Sequence, residues 1–241
     1  MLTGCINRPP NEPPSPPVVL PHLPDTSLGE QGIDAVTQGD WIQVQWLPNQ
    51  EDDLAFYRVY RFSYDDDQDI KLSVDSIVIQ IDAADEQGDT ITWNDQGVSK
   101  DIRYYYYIRA FDNEKNKSEP SGLVHYKLIQ KVSPTNMLTP RITCSDRVPV
   151  FTINDLSIDT SPMQYIIIKV LDINIDRIIW SSNLISRFNP AEITYNYNQK
   201  ALAGNDSLVI GRKYWWRLDA LGREENSGSE SDWVEFKVIS D

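Results

Sequence analysis

The sequence predicts an all-β protein, two tandem β-sandwiches behind a proline-rich N-terminal tether. Three observations predict it. Aromatic and β-branched residues alternate over short runs, as in Trp41-Ile42-Gln43-Val44-Gln45-Trp46 and Tyr57-Arg58-Val59-Tyr60, between clusters of Asp, Asn, Gly and Pro. That period of two belongs to half-buried strands, not helices. Val98, Tyr104, Tyr106, Ile108 and Ala110 are matched by Leu208, Tyr214, Trp216, Leu218 and Ala220, each displaced by 110 positions. A constant displacement of a whole apolar pattern means one unit used twice. Finally, eight of the sixteen residues from Pro9 to Pro24 are proline, which fixes φ and removes backbone donors, so this stretch extends rather than folds.

These features divide the 241 residues into a tether at 1–17, a first domain at 18–131 and a second at 132–241. At about 3.1 Å per residue, Ile6 to Pro17 spans roughly 35–40 Å in polyproline II, enough to hold a domain clear of a surface. In the first domain Trp41–Trp46 and Tyr57–Tyr60 are the first two clearly alternating strands. Tyr104, Tyr106, Ile108 and Ala110 form the inward face of a later strand, followed by the polar turn Lys117-Ser118-Glu119-Pro120-Ser121-Gly122 and a last strand. The second domain repeats the order with Pro149–Ile153, Tyr165–Val170 and Lys213–Ala220, the turn Ser229-Glu230-Ser231-Asp232-Trp233 and a closing strand ending at Val238.

Two stretches carry a family resemblance. Ile91 to Gly122, ITWNDQGVSKDIRYYYYIRAFDNEKNKSEPSG, resembles the E, F and G strand region of a bacterial fibronectin type III domain, and Lys213 to Val238 is similar to a related branch of the same family. The resemblance implies two immunoglobulin-like sandwiches, with Trp46 the core tryptophan of strand B and Tyr57 with Val59 on the inward face of strand C. Tyr104 is then the corner tyrosine, whose hydroxyl bonds back to the chain near the preceding turn. The sequence departs from the pattern at Lys115, where glycine is usual, at Ile153, where tryptophan is usual, and in the length of Tyr195 to Asp206. Modules of this family mostly bind, space or scaffold. The resemblance therefore argues against an enzyme.

Composition narrows the partners. With 36 acidic and 22 basic residues the net charge is −14, which repels nucleic acid and anionic headgroups. No apolar run reaches 18 residues, so no transmembrane helix is expected. Two histidines, His22 and His125, supply neither a metal cluster nor a nucleophile–histidine pair, glycine-rich phosphate loops are missing, and no cofactor is expected. The acidic run Asp65–Asp69 fails as an EF-hand loop, because Ile70 and Ser76 stand where glycine and glutamate are required. Asp52, Asp53 and Asp65 to Asp67 could gather one Ca²⁺; a charged edge that blocks strand pairing is the simpler reading. Cys5 and Cys144 occur in unlike contexts and are not expected to pair.

Leu2-Thr3-Gly4-Cys5 resembles the end of a bacterial lipoprotein signal peptide. A proline spacer followed by tandem sandwiches is a usual passenger of such signals. The resemblance implies that Cys5 is the lipidated first residue of the mature protein, and that Met1 is internal to a longer precursor or a start placed too late. Without aspartate directly after Cys5, the destination implied is the outer membrane. The expected function is that of a non-catalytic, lipid-anchored subunit of an envelope or surface assembly that binds other proteins through its sheet faces, or alternatively of a glycan-binding module.

Alternation also nominates contact residues. If Tyr214, Trp216, Leu218 and Ala220 point inward, Trp215 points out. Tyr165–Val170 is apolar on both faces, and the register that buries Tyr165 and Ile167 leaves Ile166, Ile168 and Val170 beside Trp215 in an outward patch. Tyr60, Tyr105 and Tyr107, with Arg58 and Arg109, are the counterpart in the first domain, where cross-strand pairing also explains them.

Overall fold

A computed structural model describes residues 12–65, 68, 70–85, 88–133, 137–142, 148–154, 163–186, 192–198 and 207–238. Leu2 to Cys5, Cys144, Asp66, Asp67 and Asp69 lie outside the described residues, as does most of the stretch Tyr195–Asp206. The chain is all-β, and its described helical structure is a single 3₁₀ turn at Ala83–Asp85.

The chain divides into two compact units. The first contains β1 (Val18–Val19), β3 (Ile42–Leu47), β4 (Leu54–Asp65), β5 (Ile70–Lys71), β6 (Ser76–Asp82), β7 (Ile91–Asp95), β8 (Arg103–Asp112) and most of β9 (Val124–Leu128), with β2 (Asp34–Ala35) between β1 and β3 in the chain. One sheet pairs β3 with β1 and β7. The other runs β6-β4-β8-β9, with β5 folded back on the end of β4. Two antiparallel sheets, the first completed by β2 beside β3, with chain order alternating between them, make the fibronectin type III-like sandwich.

The second unit repeats this plan. Its three-stranded sheet is β10 (Met137–Ile142), β11 (Pro149–Asn154) and β15 (Glu192–Asn196). Its larger sheet places β12 (Tyr165–Asp172) between β13 (Arg177–Ser181), with the short β14 (Ile185–Ser186), and β16 (Lys213–Leu221), which pairs onward with β17 (Ser227–Glu230) and β18 (Val234–Lys237).

Both cores follow from the alternation. Ile42, Val44, Trp46, Tyr57, Val59, Ile91, Tyr106, Ile108 and Ala110 are buried in the first unit, and the Trp46 and Tyr57 rings meet edge to face with centroids 5.8 Å apart. The corner tyrosine exists in both copies. Ser99 N donates to the Tyr104 hydroxyl at 3.1 Å, and Val209 N donates to the Tyr214 hydroxyl at 3.1 Å. Each pins the turn five residues before it. Lys115 adopts φ +67°, so it enters the left-handed region that glycine usually fills in this turn. The Asp112 carboxylate holds it there, accepting from Glu114 N at 3.0 Å and Asn116 N at 2.8 Å. In the second unit Ile153 is buried but small for a tryptophan position. Trp180 from β13 and Trp216 from β16 fill the space around Phe151, with ring centroids 5.9 Å and 4.8 Å from it.

Leu23–Glu30 and Ala35–Asp40 group with Leu128–Asp241. Two contacts give the reason. The Glu30 carboxylate pairs with Lys169 and Arg217, and Lys131 Nζ donates to the carbonyls of Val36 at 2.8 Å and Thr37 at 3.0 Å.

Candidate binding surface

The outward face of the β6-β4-β8-β9 sheet carries an aromatic ladder. On β4 the outward positions are Phe56, Arg58, Tyr60 and Phe62; on β8 their direct partners are Phe111, Arg109, Tyr107 and Tyr105. Three of the four rungs are stacked ring pairs. Phe56 lies on Phe111 with centroids 4.8 Å apart, Tyr60 on Tyr107 at 4.8 Å and Phe62 on Tyr105 at 5.0 Å. All eight side chains are half-buried, apart from the better covered Phe111. The sequence-nominated Tyr60, Tyr105 and Tyr107 therefore come together on one surface. Phe56, Phe62 and Phe111 complete it and were missed, although the same alternation reaches them.

The remaining rung is Arg58 opposite Arg109. Like charges directly opposed across two strands are unfavourable, by roughly 0.2–1 kcal/mol. Local contacts offset this. The Arg58 guanidinium lies over the Phe56 and Phe111 rings, 5.1 and 5.0 Å from their centroids, and Nε donates to Gln80 Oε1 at 3.1 Å. Arg109 Nη1 donates to the Ser118 carbonyl at 2.6 Å.

Beside the ladder, residues 70–77 form an apolar margin. Ile70, Leu72, Val74 and Ile77 are exposed, Val74 by 82%. Ile77 pairs with Tyr60 across the strands, and the Tyr107 hydroxyl donates to Asp75 Oδ2 at 3.2 Å, so the margin is continuous with the ladder. Asp75 also pairs with Lys71, whose ammonium sits 4.0 Å from the Phe62 ring centroid. The Tyr107 hydroxyl is pushed above its ordinary range by partial burial and then by the Asp75 charge.

In the second unit the expected outward patch is corrected. Ile166, Ile168 and Val170 are wholly buried in the core. Register explains why: they stand directly opposite Ala220, Leu218 and Trp216, and residues paired across two strands share a face. Since Trp216, Leu218 and Ala220 point inward, so must the isoleucines and Val170. Trp215 does point outward, with 36% of its surface exposed, between Leu171 and Glu235 on the neighbouring strands.

The outward side of β12 and β16 carries a charge cluster instead. Arg217, 1% exposed, donates to Asp219 Oδ1 at 2.8 Å and Glu230 Oε1 at 2.5 Å and pairs with Glu30; Lys169, 3% exposed, pairs with Asp219 at 3.2 Å and Glu30 at 3.1 Å. The Trp233 ring lies over the guanidinium, 4.8 Å from its Cζ. Burial alone would push the Lys169 ammonium down, but Asp219 and Glu30 outweigh it and hold the group above its ordinary value. Glu30, Asp219 and Glu230 are the three-carboxylate group within metal-binding range among the described residues, their oxygens within 4.8 Å of one another. Two protein cations already occupy the space between them. Arg217 pairs with all three carboxylates and Lys169 with two of them, which leaves one net negative charge on the cluster.

The remaining titratable candidates make the following contacts. His125 Nδ1 lies 2.7 Å from Arg103 Nη1 and its ring packs on Tyr105, while His22 sits beside Asp34 and Tyr126. Asp65 accepts from Gln68 N at 3.1 Å, and the Asp53 carbonyl accepts from Asn113 N at 2.9 Å. The hydroxyl of Tyr106 donates to Asp95 at 3.0 Å inside the first core, where burial and then the Asp95 charge raise it well above its usual range.

No family model matches the chain, and no curated protein does. Among solved structures it is similar to the FN1-FN3 domains of chicken CNTN1, at 10% identity over 94% of this chain and 69% of that one, with a TM-score of 0.38. A structure described as a myokine matches at 17% identity over 47% of this chain and 96% of its own, with a TM-score of 0.31. The Clostridium perfringens spore cortex lytic enzyme SleM matches at 22% identity over 47% of this chain and 27% of its own, with a TM-score of 0.27.

Proposed function

We propose that the protein is a non-catalytic binding module that engages another protein through the aromatic face of its first unit. One observation carries this reading. The Tyr60–Tyr107 and Phe62–Tyr105 rungs, continued by Leu72, Val74 and Ile77, make a half-exposed aromatic and apolar surface of the composition that marks protein contacts. A glycan-binding face needs ring faces laid flat beside one another. Here the rings of each rung stack on each other, with interplanar angles of 2°, and each gives a face to its partner.

The test is cross-linking of the full chain in cells that make it naturally, followed by mass spectrometry. Wild-type protein is expected to form cross-links mapping to residues 56–62, 70–77 and 105–111. Val74→Lys with Tyr107→Ser should reduce them at least tenfold while circular dichroism stays unchanged. Equal cross-linking by the variant overturns the reading.

We further propose that the module is displayed on the cell envelope, as an outer-membrane lipoprotein, through a lipid on Cys5. The support is the Leu2-Thr3-Gly4-Cys5 motif followed directly by proline-rich chain. Natively produced protein should partition into detergent, and its N-terminal peptide should begin at an acylated Cys5. An unmodified Met1 refutes the anchor.

A further inference from the structure

Arg58 and Arg109 are placed as if for an anion that the protein itself does not supply. Lys131 donates to backbone carbonyls, and among the described residues Arg61, Lys71, Lys169, Arg212, Lys213 and Arg217 pair with a carboxylate. Arg58 and Arg109 do not: their hydrogen-bond acceptors are the neutral oxygens of Gln80 and Ser118. In a chain with 36 acidic and 22 basic residues, carboxylates are not scarce. The two arginines are directly paired across adjacent strands, between a phenylalanine rung and a tyrosine rung.

We propose that this rung binds a carboxylate of an acidic peptide segment belonging to the protein partner, with the segment lying along β4 and β8. The inference rests on the protein-binding reading above and adds its chemistry. Guanidinium is planar and weakly hydrated, and its paired N–H groups match the two oxygens of a carboxylate. The aromatic neighbours exclude water from one side of Arg58, which strengthens the contact. Although the whole chain carries −14, screening over about 8 Å at physiological salt confines most of that repulsion to its source, so the local pair decides what docks.

Spacing favours a peptide over an acidic sugar. Successive outward residues of a strand are about 6.6–6.8 Å apart, the same repeat as alternate side chains of an extended peptide. An apolar-x-acidic-x-apolar segment would therefore set its acidic residue on Arg58 and Arg109 and its two apolar residues on the Phe56–Phe111 and Tyr60–Tyr107 rungs. A uronate chain offers carboxylates but no apolar side chains at that repeat, and the stacked rings offer it no flat platform.

The experiment is titration of ¹⁵N-labelled full chain with the peptide acetyl-Leu-Thr-Glu-Thr-Leu-amide, its Gln counterpart and a galacturonate hexamer. The Glu peptide is expected to shift amides of 56–62 and 105–111, the Gln peptide to bind at least tenfold more weakly, and Arg58→Gln or Arg109→Gln to weaken the Glu peptide at least fivefold. Equal binding of both peptides, shifts confined to other residues, no shifts, or arginine-dependent binding of the hexamer in preference to the peptide each overturn the proposal. Concentration-dependent dimers in sedimentation that vanish in Arg58→Gln overturn it too, since the acidic segment would then be the chain's own. Cross-links to a partner that persist in the Arg58→Gln, Arg109→Gln double variant refute this inference alone and leave the protein-binding reading standing.

Discussion

Replacing Arg217 by methionine should destabilise the second unit by about 3–5 kcal/mol, because Asp219, Glu230 and Glu30 would lose the one guanidinium that pairs with all three in a buried setting. The effect comes from uncompensated charge rather than lost attraction. A buried ion cluster adds little net stability over an apolar replacement of equal shape, yet removing one member exposes the full desolvation cost of the others. Glu30→Gln should cost less, since 30% of the Glu30 side chain remains in contact with water. Urea unfolding with hydrogen exchange of the β16 amides measures both. If Arg217→Met lies within 1 kcal/mol of wild type, the cluster is not the constraint described above. Alkaline titration gives a second reading. The Lys169 ammonium is held above its ordinary value in the folded state, so its contribution is complete below roughly pH 10.4 and is lost as pH rises through the folded value. The second unit should therefore weaken above about pH 10.5 in wild type, and less steeply in Lys169→Met.

Ile168→Lys should unfold the second unit, at a cost of at least about 4 kcal/mol, whereas Trp215→Ser should leave its stability within about 1 kcal/mol of wild type. Ile168 is 0% exposed and faces Leu218 across the strand pair, where an ammonium would have no partner and no water. Trp215 gives up a half-solvated ring. The two substitutions lie on strands paired with each other, so the contrast isolates the face on which each side chain sits. Thermal unfolding followed by circular dichroism measures it, and comparable losses in the two variants would contradict the register.

Residue type and spacing alone determined that the chain is all-β, and the 110-residue displacement disclosed two similar units. Alternation placed Trp216 on an inward face, because a period of two reports which side chains share a face, while Trp46 and Tyr57 as core and Tyr104 as the corner tyrosine came from the family resemblance. The outward ladder was legible from the same alternation in Tyr60, Tyr105 and Tyr107, and would have been more complete had Phe56 and Phe62 been counted with them. What alternation cannot report is which of the two faces is covered. In Tyr165–Val170 both are, so an apolar run gives no phase. Only the pairing of Ile166 with Ala220 and Ile168 with Leu218 sets the register. The covering of the outward face was equally hidden. Glu30 lies 187 positions from Arg217, and a local pattern carries no information about a carboxylate brought from that far along the chain. Tertiary structure alone made Arg217 and Lys169 buried charges and left Arg58 and Arg109 without a carboxylate, because the pairing of charges depends on distance in space and the sequence states only order.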